Sequence, residues 1–356
     1  MAKLYGREYS RAELLERVGD VFQLGGARRI TLADGPEAGV EAVEFRTGSG
    51  LNFTVLPGRG MDISLAEYRG YPLAWRSATG ETAAAYYEPE GLGWLRGFYG
   101  GLVVTCGLTY SGHPSVDDGE EVGLHGRASN LVARNVWVDG GWEGDDYVMW
   151  AQGKLKEAVV FGANLCLIRR IWARLGEKCF HLEDEVENLG YERTPHMLVY
   201  HINPGFPVVD EGARLISPTE EVRPLDEVAR AEADDFRSFH GPKPHFQEQV
   251  FFHRMATDAE GKVCVAVVNE AIPLGFYIIY RREQLPYFTQ WKQLGQGTYV
   301  VGIEPGNCTQ EGRAISRERG ELEFLEPGET RRYELTLGVL TSQQEIANFE
   351  EQARVR

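Results

Sequence analysis

Arg170-Ile-Trp-Ala-Arg-Leu175 and, after a short break containing Gly176, Phe180-His-Leu-Glu-Asp-Glu-Val-Glu187 decide the fold class. Ile171, Ala173 and Leu175 alternate with Arg170, Trp172 and Arg174. Phe180 and Leu182 fall opposite His181, Glu183, Glu185 and Glu187. A period of two places alternate side chains on opposite faces of a β-strand, so each run buries one face and wets the other. Outward from here the same period recurs. Val43 and Phe45 alternate with Glu44 and Arg46. Further strands are expected at 51–56, 61–65, 100–108, 131–138, 146–155, 196–203, 249–256, 263–269, 274–281, 299–304 and 331–338. Turn signals such as Asp139-Gly140-Gly141 and Glu326-Pro327-Gly328 separate many of them. Helices are signalled only near the ends. Ser10-Arg-Ala-Glu13 is a capping box ahead of Leu14, Leu15 and Val18, and Ser342-Gln-Gln-Glu345 opens a second helix carrying Ile346 and Phe349. The spacing predicts a helical lead over 1–25, one β domain over 26–340 and a C-terminal helix over 341–356. Many strands and little helix mean an all-β fold of antiparallel sheets stacked as a large sandwich. Residues 217–247, rich in proline and charge, read as a long excursion with a short helix at 225–232.

Composition narrows the classes of function. Apolar residues are 43% and charged residues 25%, which excludes a disordered chain. The 42 glycines and 16 prolines among 356 residues suit many short strands joined by turns. A net charge of −16, with no Lys/Arg run longer than two, repels phosphate backbones and argues against a nucleic-acid partner. Apolar runs such as Val263–Val268 fall far short of the roughly 20 residues a membrane span needs, so no membrane partner is expected. No apolar leader follows Met1, and five cysteines lie dispersed without a C-x-x-C pair. Reduced, buried thiols in a cytoplasmic protein are the expectation. Edge strands of such a sandwich are protected by pairing with a second copy, which makes a homodimer an expectation as well.

Several short constellations carry chemistry. Leu56-Pro-Gly-Arg59-Gly-Met-Asp62-Ile63 sets Arg59 and Asp62 at a tight turn, either as a local ion pair or as a fork for hydroxyls or a carboxylate. Trp94-Leu-Arg96-Gly-Phe-Tyr99-Gly-Gly combines aromatic faces with glycine and suits either sugar stacking or ordinary core. Leu124-His125-Gly126-Arg127 places an imidazole at a loop–strand junction. Tyr200-His201-Ile-Asn203 sets two polar side chains on one strand face at a strand end. Gln290-Trp291-Lys292-Gln293 leads through a turn to an apolar strand closed by Glu304-Pro305. A carboxyl ending an apolar run loses water, and its pKa should rise toward the range useful to a general base. Metal-ligand spacings are missing: there is no H-E-x-x-H and no His-x-His, and His240 and His245 flank Gly-Pro-Lys-Pro. No G-x-S-x-G elbow supports a serine nucleophile.

The order of these motifs resembles the aldose 1-epimerase (galactose mutarotase-like) superfamily over about residues 40–340, and most closely an uncharacterised aldose-epimerase-related branch. The resemblance implies a β-supersandwich with an open sugar-binding cleft, acting on a small-molecule sugar with neither metal nor other cofactor. It implies that His125 binds sugar, that His201 is the general acid on the ring oxygen, and that Glu304 is the general base on the anomeric hydroxyl. A substrate-gripping Arg falls at Arg59 or Arg96. The substrate-orienting Asp of the family falls at Asp210, without a motif to fix it. Asp62, Arg127, Asn203 and Gln293 complete the candidate binding set. Met61-Asp62-Ile63 departs from the Asn-Arg-Ile of galactose-type mutarotases, leaving the sugar, its phosphorylation and the reaction open. Sugar anomer interconversion is thus the first reading. The alternatives are a non-catalytic sugar-binding or sugar-sensing protein and a metal-dependent sugar isomerase on a β fold.

Overall fold

The computed structural model describes residues 1–354. Two large antiparallel sheets face each other. The first has eight strands, in the order Arg134–Glu143, Asp146–Ala158, Asn164–Arg174, Cys179–Asn188, Thr330–Leu340, Leu274–Arg281, Lys262–Asn269 and Arg214–Ile216. The second has eleven. Its main path runs Thr219–Pro224, Gln249–Met255, Tyr287–Gly295, Thr298–Gly306, Met197–Ile202, Val103–Leu108, Asp62–Tyr68, Leu51–Leu56, Glu41–Arg46 and Gly26–Thr31, and Tyr71–Pro72 pairs beside Asp62–Tyr68. The all-β expectation holds, and the deciding stretch behaves as read. Phe180 and Leu182 are buried between the sheets while His181 and Glu183 lie on the outer side.

Apolar side chains sort into three layers. The main core lies between the sheets and includes Phe45, Phe180, Tyr200, Phe276 and Leu337. A second core, with Trp94, Phe98, Val104, Cys106 and Val199, lies on the outer face of the eleven-stranded sheet. A third seats the C-terminal helix Gln343–Ala353 on the outer face of the eight-stranded sheet through Ile346 and Phe349. The second layer matters for function, because loops roof a sheet face that would otherwise be wet.

Several elements differ from the sequence reading. Residues 1–25 are more hairpin than helix. Ala2–Leu4 pairs with Arg7–Tyr9, and the capped helix spans only Arg11–Leu15. The excursion at 217–247 begins as the edge strand Thr219–Pro224, and its helix, Glu227–Arg230, is capped by Asp226. Strand Tyr287–Gly295 has no alternating signal because it is covered on both faces, with polar Gln290 and Lys292 among its buried residues. All five cysteines are free, and four are buried.

One charged network crosses the main core. Arg169 shares the inward parity of Ile171 and Ala173, and its guanidinium forks onto Asp184 at 2.9 and 2.6 Å. Its third nitrogen reaches Asp62 Oδ1 at 3.1 Å and Thr105 Oγ1 at 2.8 Å on the facing sheet. The Tyr200 hydroxyl donates to Asp184 at 2.7 Å. Arg169 and both carboxylates are shut off from water; paired charge and hydrogen bonds offset most of their desolvation, but Asp62 Oδ2 has no partner and burial raises the Asp62 carboxyl to about 6.

Candidate active site

Strands Met197–Ile202 and Thr298–Gly306 are neighbours, with Ile202 opposite Ile303. That register sets His201 beside Glu304 on the outer face of the eleven-stranded sheet. His201 Nε2 stands 3.3 Å from Glu304 Oε1. Asn203 determines the tautomer. Its amide nitrogen donates to the carbonyls of Gly101 and His201 at 3.1 and 3.0 Å, so its oxygen must be the atom 2.6 Å from His201 Nδ1. Nδ1 therefore carries the hydrogen, and Nε2 is the unprotonated nitrogen nearest the carboxyl.

Both groups have lost water. Burial pushes the Glu304 carboxyl up to about 8, against the opposing hydrogen bond from Gln310, and pushes the His201 imidazole down to about 4 despite its Asn203 partner. The rise foreseen for Glu304 is present and has the foreseen cause. At neutral pH the Glu304 carboxyl therefore holds a proton and the His201 imidazole does not, and Glu304 Oε1 stays without a hydrogen-bond partner in the closed site.

His125 completes the cluster. Its ring lies 5.8 Å from that of His201, nearly perpendicular, and 4.7 Å from Trp94. The backbone of His125 is left-handed, with φ +57°. Gly126 follows it at φ +81°, where any side chain would strike the carbonyls of Gly107 and Tyr110. Burial, with His201 and His113 adding to it, holds the His125 imidazole well below its ordinary value, and its Nδ1 has no partner. Phe98 and Trp291 each lie 5.4 Å from His201, and Trp75 closes on both at 5.7 and 6.1 Å. Aromatic faces beside paired proton donors and acceptors match the apolar C–H faces and polar rims of a sugar ring.

Two residues that the sequence reading passed over position Glu304. Gln310 Nε2 donates to Glu304 Oε2 at 3.1 Å, and Ser111 donates to Gln310 Oε1 at 3.1 Å. Gly302 lies two residues before Glu304 on the same strand face. A methyl there would overlap Glu304 Oε1 and stand 3.0 Å from the Trp291 Cβ. Since the overlapped atom ends a flexible side chain, Gly302→Ala should fold normally but displace the carboxyl. A shifted Glu304 titration with an unchanged melting temperature is expected, read by NMR titration and thermal denaturation side by side.

The other candidate residues divide. Asn203 does not face a ligand, since its amide is spent holding His201. Arg59 is buried and gives its guanidinium to the carbonyls of Ser129, Thr82 and Gly97, so it ties down the roofing loops rather than gripping substrate. Asp62 belongs to the Arg169 network in the main core and does not pair with Arg59. Arg96 is exposed, pairs with Glu88, and lines an open depression of about 670 Å³ with Leu92 and Leu95, none of the cluster residues being part of it. Arg127 is exposed and lies over Tyr87. Asp210 accepts from the Glu211 amide and neighbours Tyr299 rather than His201 or Glu304. Gln293 follows Trp291 on the outer face of the sheet and has a buried Oε1 without a hydrogen-bond partner. Among the described residues, the group of three side chains close enough to share a metal ion lies elsewhere, at Glu177, Cys179 and His181.

Comparison with known proteins agrees with this architecture. A "putative aldose 1-epimerase" from Klebsiella pneumoniae has a structure similar to this chain, with a TM-score of 0.88 and 28% identity over 97% of this chain and 93% of that one. Galactose 1-epimerase from Lactobacillus acidophilus shares the fold at a TM-score of 0.58 and 12% identity, covering 90% of this chain and 100% of the other. A galactose mutarotase-like protein from Clostridium acetobutylicum gives 0.59 and 12% over 90% and 99%. No curated protein matches. The fold is therefore the galactose mutarotase-like sandwich foreseen from the order of motifs. A family model described as a domain of unknown function, DUF4432, matches residues 37–339, and the chain belongs to that family.

Proposed function

We propose that this chain interconverts sugar anomers by acid–base opening and reclosure of the ring, without a cofactor. The observation that carries the reading is the desolvated His201–Glu304 pair holding one proton at 3.3 Å beneath aromatic rings. Opening a cyclic hemiacetal breaks the bond from C1 to the ring oxygen. A proton must reach that oxygen while another leaves the anomeric hydroxyl, whose oxygen becomes the carbonyl. Rotation about C1–C2 and reversal of both transfers then give the other anomer. A pair sharing one proton supplies the acid and the base together, each worth roughly 10²–10⁴-fold. In the unliganded site the proton resides on Glu304. Sugar hydroxyls that replace lost water would favour the carboxylate, leaving His201 as acid and Glu304 as base. Either assignment needs one proton on the pair. His125 and Gln293 are the sugar-binding side chains of this reading.

The pH dependence follows. kcat/KM should be level while the pair holds one proton. It should fall above about 8, where Glu304 loses it, and below about 4, where His201 gains a second. A profile centred on an ordinary histidine near 6.5 would contradict this assignment.

The direct test is anomer exchange followed by NMR over free and phosphorylated aldoses. Acceleration of at least one sugar is expected. Binding shifts without accelerated exchange would favour a sugar-binding protein that kept the cleft and lost turnover.

A further inference from the structure

The opposite outer face of the sandwich carries a second constellation that anomer interconversion does not use. Glu177, Cys179 and His181 occupy alternate positions where the chain enters strand Cys179–Asn188, so their side chains converge on one side. Their ligating atoms all lie within 4.8 Å of one another, and Cys179 Sγ is 3.7 Å from Glu177 Oε2. Ligands placed about 2.0–2.3 Å from a tetrahedral zinc sit about 3.3–3.8 Å apart, so binding draws the three side chains together by rotamer adjustment.

We propose that Glu177, Cys179 and His181 bind one zinc-class divalent ion at the seam between strands Cys179–Asn188 and Thr330–Leu340. The donor set decides the class. One thiolate, one imidazole and one carboxylate suit zinc or cobalt and exclude calcium and magnesium, which take oxygen alone. Three further contacts support the site. Thr336 Oγ1 lies 3.1 Å from His181 Nδ1, and Trp172 stacks on the ring at 4.0 Å, so the imidazole is held in a fixed orientation. Gly338 lies opposite Cys179, where a side chain would strike the Tyr277 hydroxyl and stand 2.8 Å from the Cys179 Cβ. Besides accepting from Cys179 Sγ, Glu177 is engaged by Arg174 at 3.6 Å, in a partly exposed pair that a metal outcompetes at little cost. The fourth position is open to water or to Tyr277. Lys178 next door pairs with Glu345 of the C-terminal helix at 2.7 Å, so metal at this seam also braces the docking of that helix.

Cobalt(II) added to chelator-treated full-length protein tests the site. One equivalent should produce a thiolate-to-cobalt charge-transfer band and the strong visible bands of a tetrahedral ion. Cys179→Ser should abolish the charge-transfer band, His181→Ala should abolish tetrahedral binding, and Thr336→Val should weaken affinity about 10–100-fold. Zinc should raise the melting temperature of the wild type and of His201→Ala equally, which separates this site from the cleft. Far-UV dichroism establishes that each variant is folded. Absence of the band in the wild type, or its persistence in folded Cys179→Ser, overturns the proposal.

Discussion

Glu304→Gln is expected to reduce anomer exchange by about 10²–10⁴-fold while leaving the protein folded and able to bind sugar. The side chain keeps its shape and its neighbour Gln310, and loses only the ability to exchange a proton with His201 Nε2. Stability supplies an independent signature. The folded carboxyl titrates near 8, while an unfolded Glu titrates near its model value of 4.5. Between those values the folded state binds the extra proton. The stabilisation is thus fully present below about 4.5 and is lost as pH rises through about 8. Gln mimics the protonated acid at every pH. The wild type should lose a few kcal/mol across that window, and Glu304→Gln should show a flatter profile and at pH 8 be at least as stable as wild type. Denaturant titrations at pH 5 and 8 check this. A variant that loses stability at both values would show that Glu304 is ionised in the folded protein.

The largest loss of stability is expected at Arg169. Removing the guanidinium, as in Arg169→Met, leaves Asp184 and Asp62 facing each other across the sheets without a counter-charge. Breaking a buried pair in this way costs about 3–5 kcal/mol, and the loss should appear as a lower urea midpoint with an unchanged slope. Arg169→Lys should recover only part of it, because an ammonium cannot fork onto both Asp184 oxygens while reaching Thr105. Activity should suffer indirectly. Tyr200, which donates to Asp184, precedes His201 on the same strand, so the network braces the sheet from behind the site.

What was legible in the sequence was what depends on local period and on order. Alternation placed most of the strands, and the chain order of His125, His201 and Glu304 pointed to one site, where the fold brings them together. What escaped depends on distant pairing. Gln310 lies only six residues beyond Glu304, but nothing local says that the chain turns back on itself there. Gly302 looks like any small residue in a strand until Glu304 is seen lying over it. Arg59 and Asp62 form a conspicuous motif, yet their partners come from loops and strands far along the chain, so spacing alone could not separate structural roles from binding ones. The Arg169–Asp184 pair was available in principle. Both charges fall on the apolar parity of their strands, Arg169 with Ile171 and Asp184 with Leu182, and a charge out of phase with its strand marks a buried network.

The aromatic cover over the acid–base pair has a kinetic consequence. The side chains of His201 and Glu304 are only 7% and 2% exposed, and Phe98, whose carbonyl is held by Ser77 and Thr79, lies across the imidazole. Arg59 braces the same segment through the Gly97 carbonyl, so on the proposed reading a sugar must displace a tethered cover to reach the proton. Encounter and capture are then separate events, and the observed binding rate should level off at high sugar concentration, at the rate of loop opening. The same cover keeps bulk water away from the Glu304 carboxyl, whose raised pKa rests on that exclusion.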